Sequence, residues 1–291
     1  MTVVRRASTA ECLEYGSPRL AEVIPIEAGF SRRPGVRHNR RNIGALVTSA
    51  SGDGDYSPLD ESGGVLWLDM QDTNAFVQDG GTVAQFTNKA SDVDWTEATT
   101  RPAYAETLNS LPCMDFDGIN DLIISTEAAV HSVFAGGGVA YTLIAVAQHD
   151  VADSAHRWFG AGNSGSVDGH RSWGTTTTGA GVWASTATSD AGAVANAASA
   201  GGSDTSAHIF MWWASTTVVS LSVGNAAADP DGAAQAPGTI TPDRAAVGCR
   251  PNATPSTFFA GLLGELLLYS VELDADARSR VHDYLADKWN L

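Results

Sequence analysis

From residue 63 onward, short apolar runs rich in Val, Ile, Thr, Phe and Trp alternate with clusters of Gly, Ser, Asp and Asn. Runs of this length, bounded by turn formers, predict the strands of an all-β sandwich. Residues 141–147 predict a core strand, and residues 157–160 and 181–184 shorter ones. Residues 208–213 and 218–223 predict a neighbouring pair joined by 214–217. The apolar run 258–269 reads as a buried strand. Helical spacing comes only after it, in Ala277, Val281, Tyr284, Leu285 and Trp289. Asp274 or Asp276 is placed to cap the first turn, which predicts one short helix over roughly 274–288. Residues 63–291 thus read as one sandwich domain, an ordinary size for that class.

Residues 1–62 are a different object. They show no repeated apolar period, and 51–58 reads as a flexible linker. Residues 1–45 hold eight Arg and four Glu, a net of +4, whereas the remainder carries −20 of the chain's −16 total. Residues 31–41 place Arg32, Arg33, Arg37, Arg40 and Arg41 in one stretch. Three roles are open to that run: contact with nucleic acid, a solvated basic linker, or docking onto a carboxylate-rich protein surface. No aromatic residues interleave it in the manner of single-strand binders, and arginine's planar fork suits carboxylates. The expectation is therefore an extended arm that anchors the sandwich to a partner. The acidic remainder disfavours nucleic acid and anionic membranes as partners.

Five short motifs stand in order along the sandwich: Val65-Leu-Trp-Leu-Asp69, Val83-Ala-Gln-Phe-Thr-Asn-Lys89, Arg101-Pro-Ala-Tyr104, Phe116-Asp-Gly-Ile-Asn-Asp121, and the closing strand with its helix. In this order the chain resembles the concanavalin A-like (laminin-G-like) jelly-roll family, as found in phage virion proteins. The resemblance spans roughly residues 63–289, with the middle third matching only in rhythm. It implies a two-sheet antiparallel jelly roll with an extended N-terminal arm and a short C-terminal helix. It does not fix the function, because this architecture hosts lectins, glycosidases, adhesion modules and virion proteins alike.

The chemistry within the sandwich is sparse. Glucanases of the superfamily carry Glu-Xaa-Asp-Xaa-Xaa-Glu on one strand, so that alternation brings the acid and the nucleophile into one cleft. This chain lacks that motif, and Glu265 stands alone between Gly264 and Leu266. Asp115, Asp117, Asn120 and Asp121 offer oxygen ligands for calcium, although an Asp-Gly pair most simply makes a tight turn. Cys12, Cys113 and Cys249 form neither a disulfide framework nor a zinc spacing. No nucleophile elbow or HExxH is present.

One constellation is suggestive. His156-Arg157-Trp158 and His170-Arg171-Ser172-Trp173 are a near repeat flanking a turn. As a hairpin they would gather two His-Arg pairs and two indoles, with Asp168 nearby, into a glycan site; the alternative is that both rings fill the core. Trp212 and Trp213 are adjacent in a strand and point to opposite faces, so at most one is core. The other is a contact candidate.

The leading expectation is a non-enzymatic structural component of a phage or phage-like particle: a head decoration, head fibre or spike, or tail adhesin. The N-terminus has no apolar signal-peptide core and no run reaches transmembrane length, which fits a virion protein made in a host cytoplasm. Other virion subunits, cell-surface glycans and further copies of the chain are the expected partners, and no cofactor is called for. The alternatives are a bacterial carbohydrate-binding lectin module and, third, a glycoside hydrolase.

Overall fold

The computed structural model describes residues 56–291, except 98, 153–154, 177–181, 225–232 and 236–237. The arm reading, including Arg32, Arg33, Arg37, Arg40 and Arg41, lies outside the described residues. The described chain is an antiparallel β-sandwich of jelly-roll type with one C-terminal helix. Among the described residues no helix is long and apolar enough to cross a membrane.

Its strands are β1 (Gly64–Asp69), β2 (Phe76–Asp79), β3 (Thr82–Asn88), β4 (Val93–Thr96), β5 (Ala103–Leu108), β6 (Leu111–Asp117), β7 (Ile123–Ser125), β8 (Tyr141–His149), β9 (Arg157–Gly162), β10 (His170–Thr176), β11 (Val182–Thr188), β12 (Val194–Gly202), β13 (Ala207–Ala214), β14 (Val218–Val223), β15 (Ala233–Ala234), β16 (Arg244–Val247) and β17 (Ala260–Tyr269). The helices are α1 (Ala128–His131) and α2 (Ala275–Trp289).

Sheet I centres on β17, the long apolar run near the C-terminus. Its first half pairs with β6 and its second half with β1, so both share one edge of it. Its other edge pairs with β8, followed by β13, β14 and β15, while β5 lies outside β6. Sheet II runs β2–β3–β4–β7–β16–β9–β10–β11–β12. A single pairing, Thr82 with Ala103, joins the layers at one corner.

The core between the layers is aromatic. Trp158 of sheet II packs on Trp212 of sheet I at 5.2 Å between centroids, Trp183 on Phe210 at 4.5 Å, and Trp173 on Tyr141 at 5.6 Å. A β-bulge explains why Trp158 and Phe159, although adjacent, are both fully buried. Phe159 opposes Trp173, but Arg157 opposes Gly174, so Trp158 is the extra residue. The bulge turns both rings inward and swings Arg157 to the outer face.

Helix α2 covers part of the outer face of sheet I. Asp274 caps it by accepting a hydrogen bond from the Ala277 N–H at 2.8 Å, and Asn290 ends it in the left-handed region at φ 53°. Its buried stripe is Ala277, Val281, Leu285 and Trp289. Trp289 lies flat over Gly264: a β-carbon there would stand 2.7 Å from the indole. Residues 56–62 pack beside the helix, where Glu61 pairs with Arg280 and the Tyr269 hydroxyl donates to the Pro58 carbonyl.

Candidate functional site

The hairpin expected around residues 156–173 exists as β9 and β10, but it does not build the glycan site that the sequence suggests. Trp158 and Trp173 are fully buried in the inter-sheet core, and so is Trp212. Burying an indole removes roughly 200 Å² from water, on the order of 5 kcal/mol. A stacking contact contributes about 1 kcal/mol beyond its area. Turning any of these rings out to meet a sugar therefore costs more than the contact returns, and the three are corrected to core residues.

The polar members of the near repeat divide between two faces. Arg171 points between the sheets, beside Tyr141 and a cavity of about 10 Å³, and donates to the Gly137 carbonyl. It does not meet ligand at the surface. His156 Nδ1 contacts the Phe258 carbonyl at 2.6 Å. Arg157 and His170 lie on the outer face of sheet II, where His170 meets Thr188 and Asn252. Burial and the nearby Arg250 and Arg157 push the His170 imidazole down to about 3, so it is neutral. Asp168 is half-buried in the β9–β10 loop, and its backbone N–H donates to Ser166.

Trp213 has the opposite fate from Trp212. It faces outward from sheet I and is half-buried. The guanidinium of Arg278 lies 4.3 Å from its ring centroid, a cation–π contact that docks α2 against β13. Beside the ring an open groove of about 220 Å³ runs between α2 and β14, lined also by Met211, Ser222, Ser279 and His282. Helical spacing explains the lining, because Ala275, Arg278, Ser279 and His282 share one face of α2. The groove combines an aromatic platform with hydroxyl and imidazole groups at its rim.

The buried carboxylates hold the fold together. Asp69 and Glu265 are cross-strand neighbours under α2. Glu265 accepts from the indole N–H groups of Trp67 at 2.7 Å and Trp289 at 2.9 Å. Burial raises its carboxyl above the usual range, and Lys288 opposes the rise. On sheet II, Glu127 accepts from Asn88, Ser91 and Trp95. It borders a groove of about 450 Å³ between β4 and β7, with Asp94 on the far wall. Donors occupy both Glu127 oxygens, and Thr87 donates to Asp94 Oδ1. Glu127 thereby ties the start of α1 to β3 and β4.

The calcium reading of Asp115, Asp117, Asn120 and Asp121 gives way to turn architecture. Asp117 Oδ1 accepts from the backbone N–H groups of Ile119, Asn120 and Asp121, and Asp121 Oδ2 accepts from that of Asp117. Gly118 takes φ +73°, which the tight turn requires. Among the described residues no His, Cys, Asp or Glu group has a metal-holding arrangement.

No family model matches the chain, and no curated protein matches it. Among solved structures it is similar to the CBM40 of the Ruminococcus gnavus IT-sialidase bound to alpha2,3 sialyllactose: 17% identity over 54% of this chain and 88% of that one, TM-score 0.42. It is also similar to the NanB sialidase from Streptococcus pneumoniae, at 14% identity over 57% of this chain and 27% of that one, TM-score 0.44. For the Trypanosoma rangeli sialidase in complex with the inhibitor DANA, the values are 14%, 76% and 33%, TM-score 0.49. The chain thus spans most of the isolated CBM40 but about a third or less of each sialidase. At these identities the likeness is one of fold alone.

Proposed function

We propose that residues 56–291 are a non-catalytic, lectin-like carbohydrate-binding module whose contact residue is Trp213. The observation that carries this reading is the half-buried Trp213 ring on an open groove with polar side chains at its rim. Apolar C–H groups of a pyranose pack on indoles, here on the part of the ring that Arg278 leaves uncovered, while hydroxyls need the donors and acceptors that Ser279 and His282 offer. The groove is small and open, which suits one exposed residue of a longer glycan better than an enclosed free sugar. Glycan-array screening of the full chain, followed by tryptophan-fluorescence titration with the best binder, tests it. Trp213→Ala is expected to weaken binding by about tenfold or more. Equal binding by that variant, or no array signal above background, overturns the reading.

The arginine run at residues 32–41 favours a second reading of where the module works: on a phage or phage-like particle, held by residues 1–62 against carboxylate-rich subunits. Comparing incorporation of the full chain and of a chain lacking residues 1–45 into particles tests it. Equal incorporation refutes the arm as anchor.

A further inference from the structure

We propose that the outer face of sheet II carries an anion-binding site built on Arg157 and Arg250, which takes the carboxylate or sulfate group of an acidic sugar. It sits on the opposite layer from the Trp213 groove and does not depend on the reading given for that groove.

The site begins with the segment between β16 and β17. Residues 249–258 cross back over β9 as a strap. Gly160 permits the approach, because a β-carbon there would stand 2.6 Å from Pro251 Cδ and 3.0 Å from the Cys249 carbonyl oxygen. The strap is fastened along its length. Arg250 and Ser256 bridge to each other, the Arg157 N–H donates to the Thr257 carbonyl at 3.0 Å, and the Phe259 N–H to that of Gly248 at 2.8 Å. Arg157, turned outward by the bulge, therefore lies next to the stretch that holds Arg250.

Among the described residues neither guanidinium is in an ion pair; the pairs there involve Lys89, Arg101, His208, Arg280, His282 and Lys288. Arg157 is only 7% exposed, yet its partners are all neutral: Ser172 Oγ at 3.1 Å, the His156 carbonyl at 3.0 Å and Thr186 Oγ1 at 3.3 Å. Those three acceptors leave two of its five N–H donors unused. Arg250 aims both Nε and Nη2 at Ser256 Oγ. Asp168 is the carboxylate Arg250 senses, from beyond ion-pair distance, and the Cys249 thiol is pushed up to about 12 by burial and is neutral. Burial and the repulsion from Arg250 together pull Arg157 down to about 10.

A buried cation without an ion-pair partner is costly, and here the buried Arg157 has the half-buried Arg250 close by, in a chain of net charge −16. One anion relieves both, and the planar guanidinium fork matches the paired oxygens of a carboxylate or sulfate. A second observation points to more than a bare ion. Asn252, two residues along the strap, is 2% exposed and its Oδ1 has no hydrogen-bond partner. This unfilled acceptor lies on the same strap as Arg250 and is the group that a hydroxyl of the acidic sugar would satisfy.

Calorimetric titration of the full chain with glucuronate, glucose 6-sulfate, glucose and sodium sulfate tests the site. The first two separate a carboxylate source from a sulfate ester. Binding of either charged sugar at least about tenfold tighter than glucose is expected. Arg250→Gln should remove that preference, and Arg250→Lys should keep part of it. Circular dichroism of each variant separates lost binding from lost folding. Equal affinity for glucose, wild-type binding by Arg250→Gln, no binding of either charged sugar, or binding of inorganic sulfate alone each overturns the proposal.

Discussion

Asp69 and Glu265 face each other across β1 and β17 and share one cation: Lys288 Nζ lies 2.7 Å from Asp69 Oδ1 and 2.8 Å from Glu265 Oε2. Lys89 supplies a second contact to Asp69 at 3.1 Å. Two indoles and the Tyr284 hydroxyl fill the remaining oxygen positions on Glu265. The last turn of α2 is thereby clamped to the first strand of the domain through the centre of sheet I.

Lys288→Met should cost about 3 kcal/mol, because it leaves a buried carboxylate with hydrogen-bond donors but no adjacent cation. The loss should depend on pH. Burial already raises Glu265 above its ordinary 4.5, and removing Lys288 raises it further. A carboxyl raised in the folded state contributes stability that is present below 4.5 and is lost as pH rises through its folded value. The deficit of Lys288→Met against wild type should therefore be smaller near pH 4 than at pH 8. Urea midpoints at the two values measure it, and a pH-independent deficit would contradict this account of the clamp.

Gly264→Ala should destabilise by about 1–3 kcal/mol, since its methyl meets the Trp289 ring at 2.7–2.9 Å and the packed indole has nowhere to move. The near-ultraviolet circular dichroism of the variant should change as Trp289 shifts. A melting temperature within a degree or so of wild type would mean that α2 rides outward at little cost.

The turn at Asp117 separates a structural carboxylate from a metal ligand. Asp117→Ala should cost about 1 kcal/mol through three unanswered N–H groups. Asp117→Asn retains Oδ1 as an acceptor and should cost less. Neither millimolar calcium nor a chelator should shift the wild-type melting temperature. A calcium-dependent rise that Asp117→Asn abolishes would restore the metal reading.

These contrasts show what the sequence could carry. Strands built on β-branched and aromatic runs, such as β8, β13 and β17, were legible because alternation and turn formers both mark them. β12, with its Ala and Gly, has no such signature, since neighbouring strands specify it and its own propensity does not. Adjacency alone told that Trp212 and Trp213 part ways. That rule does not hold at Trp158 and Phe159, where the bulge places both rings on one side. Glu265 looked solitary because its partners Trp67, Tyr284 and Lys288 are remote in sequence or in the helix that packs over it. The strap over Gly160 leaves no periodic trace, so the pairing of its Arg250 with Arg157 of β9 emerges only from the fold.

Acid should destabilise the sandwich through two buried histidines. His149 sits among Trp183, Phe210 and Phe259, and neither of its ring nitrogens has a hydrogen-bond partner. Burial first, then His156 and Arg157, push it down to about 3, and His170 falls to a similar value. A histidine depressed in the folded state binds fewer protons than the unfolded chain between about 3 and 6.5, so its stability is complete above 6.5 and drains as pH falls through that window. At pH 5 each should cost about 2 kcal/mol relative to pH 8. His149→Leu removes one titration without orphaning a partner, so it should be nearly neutral at pH 8. The acid midpoint of the variant, followed by tryptophan fluorescence, should then lie at lower pH than that of wild type. An unchanged acid profile would show that His149 is not among the groups whose protonation opens the core.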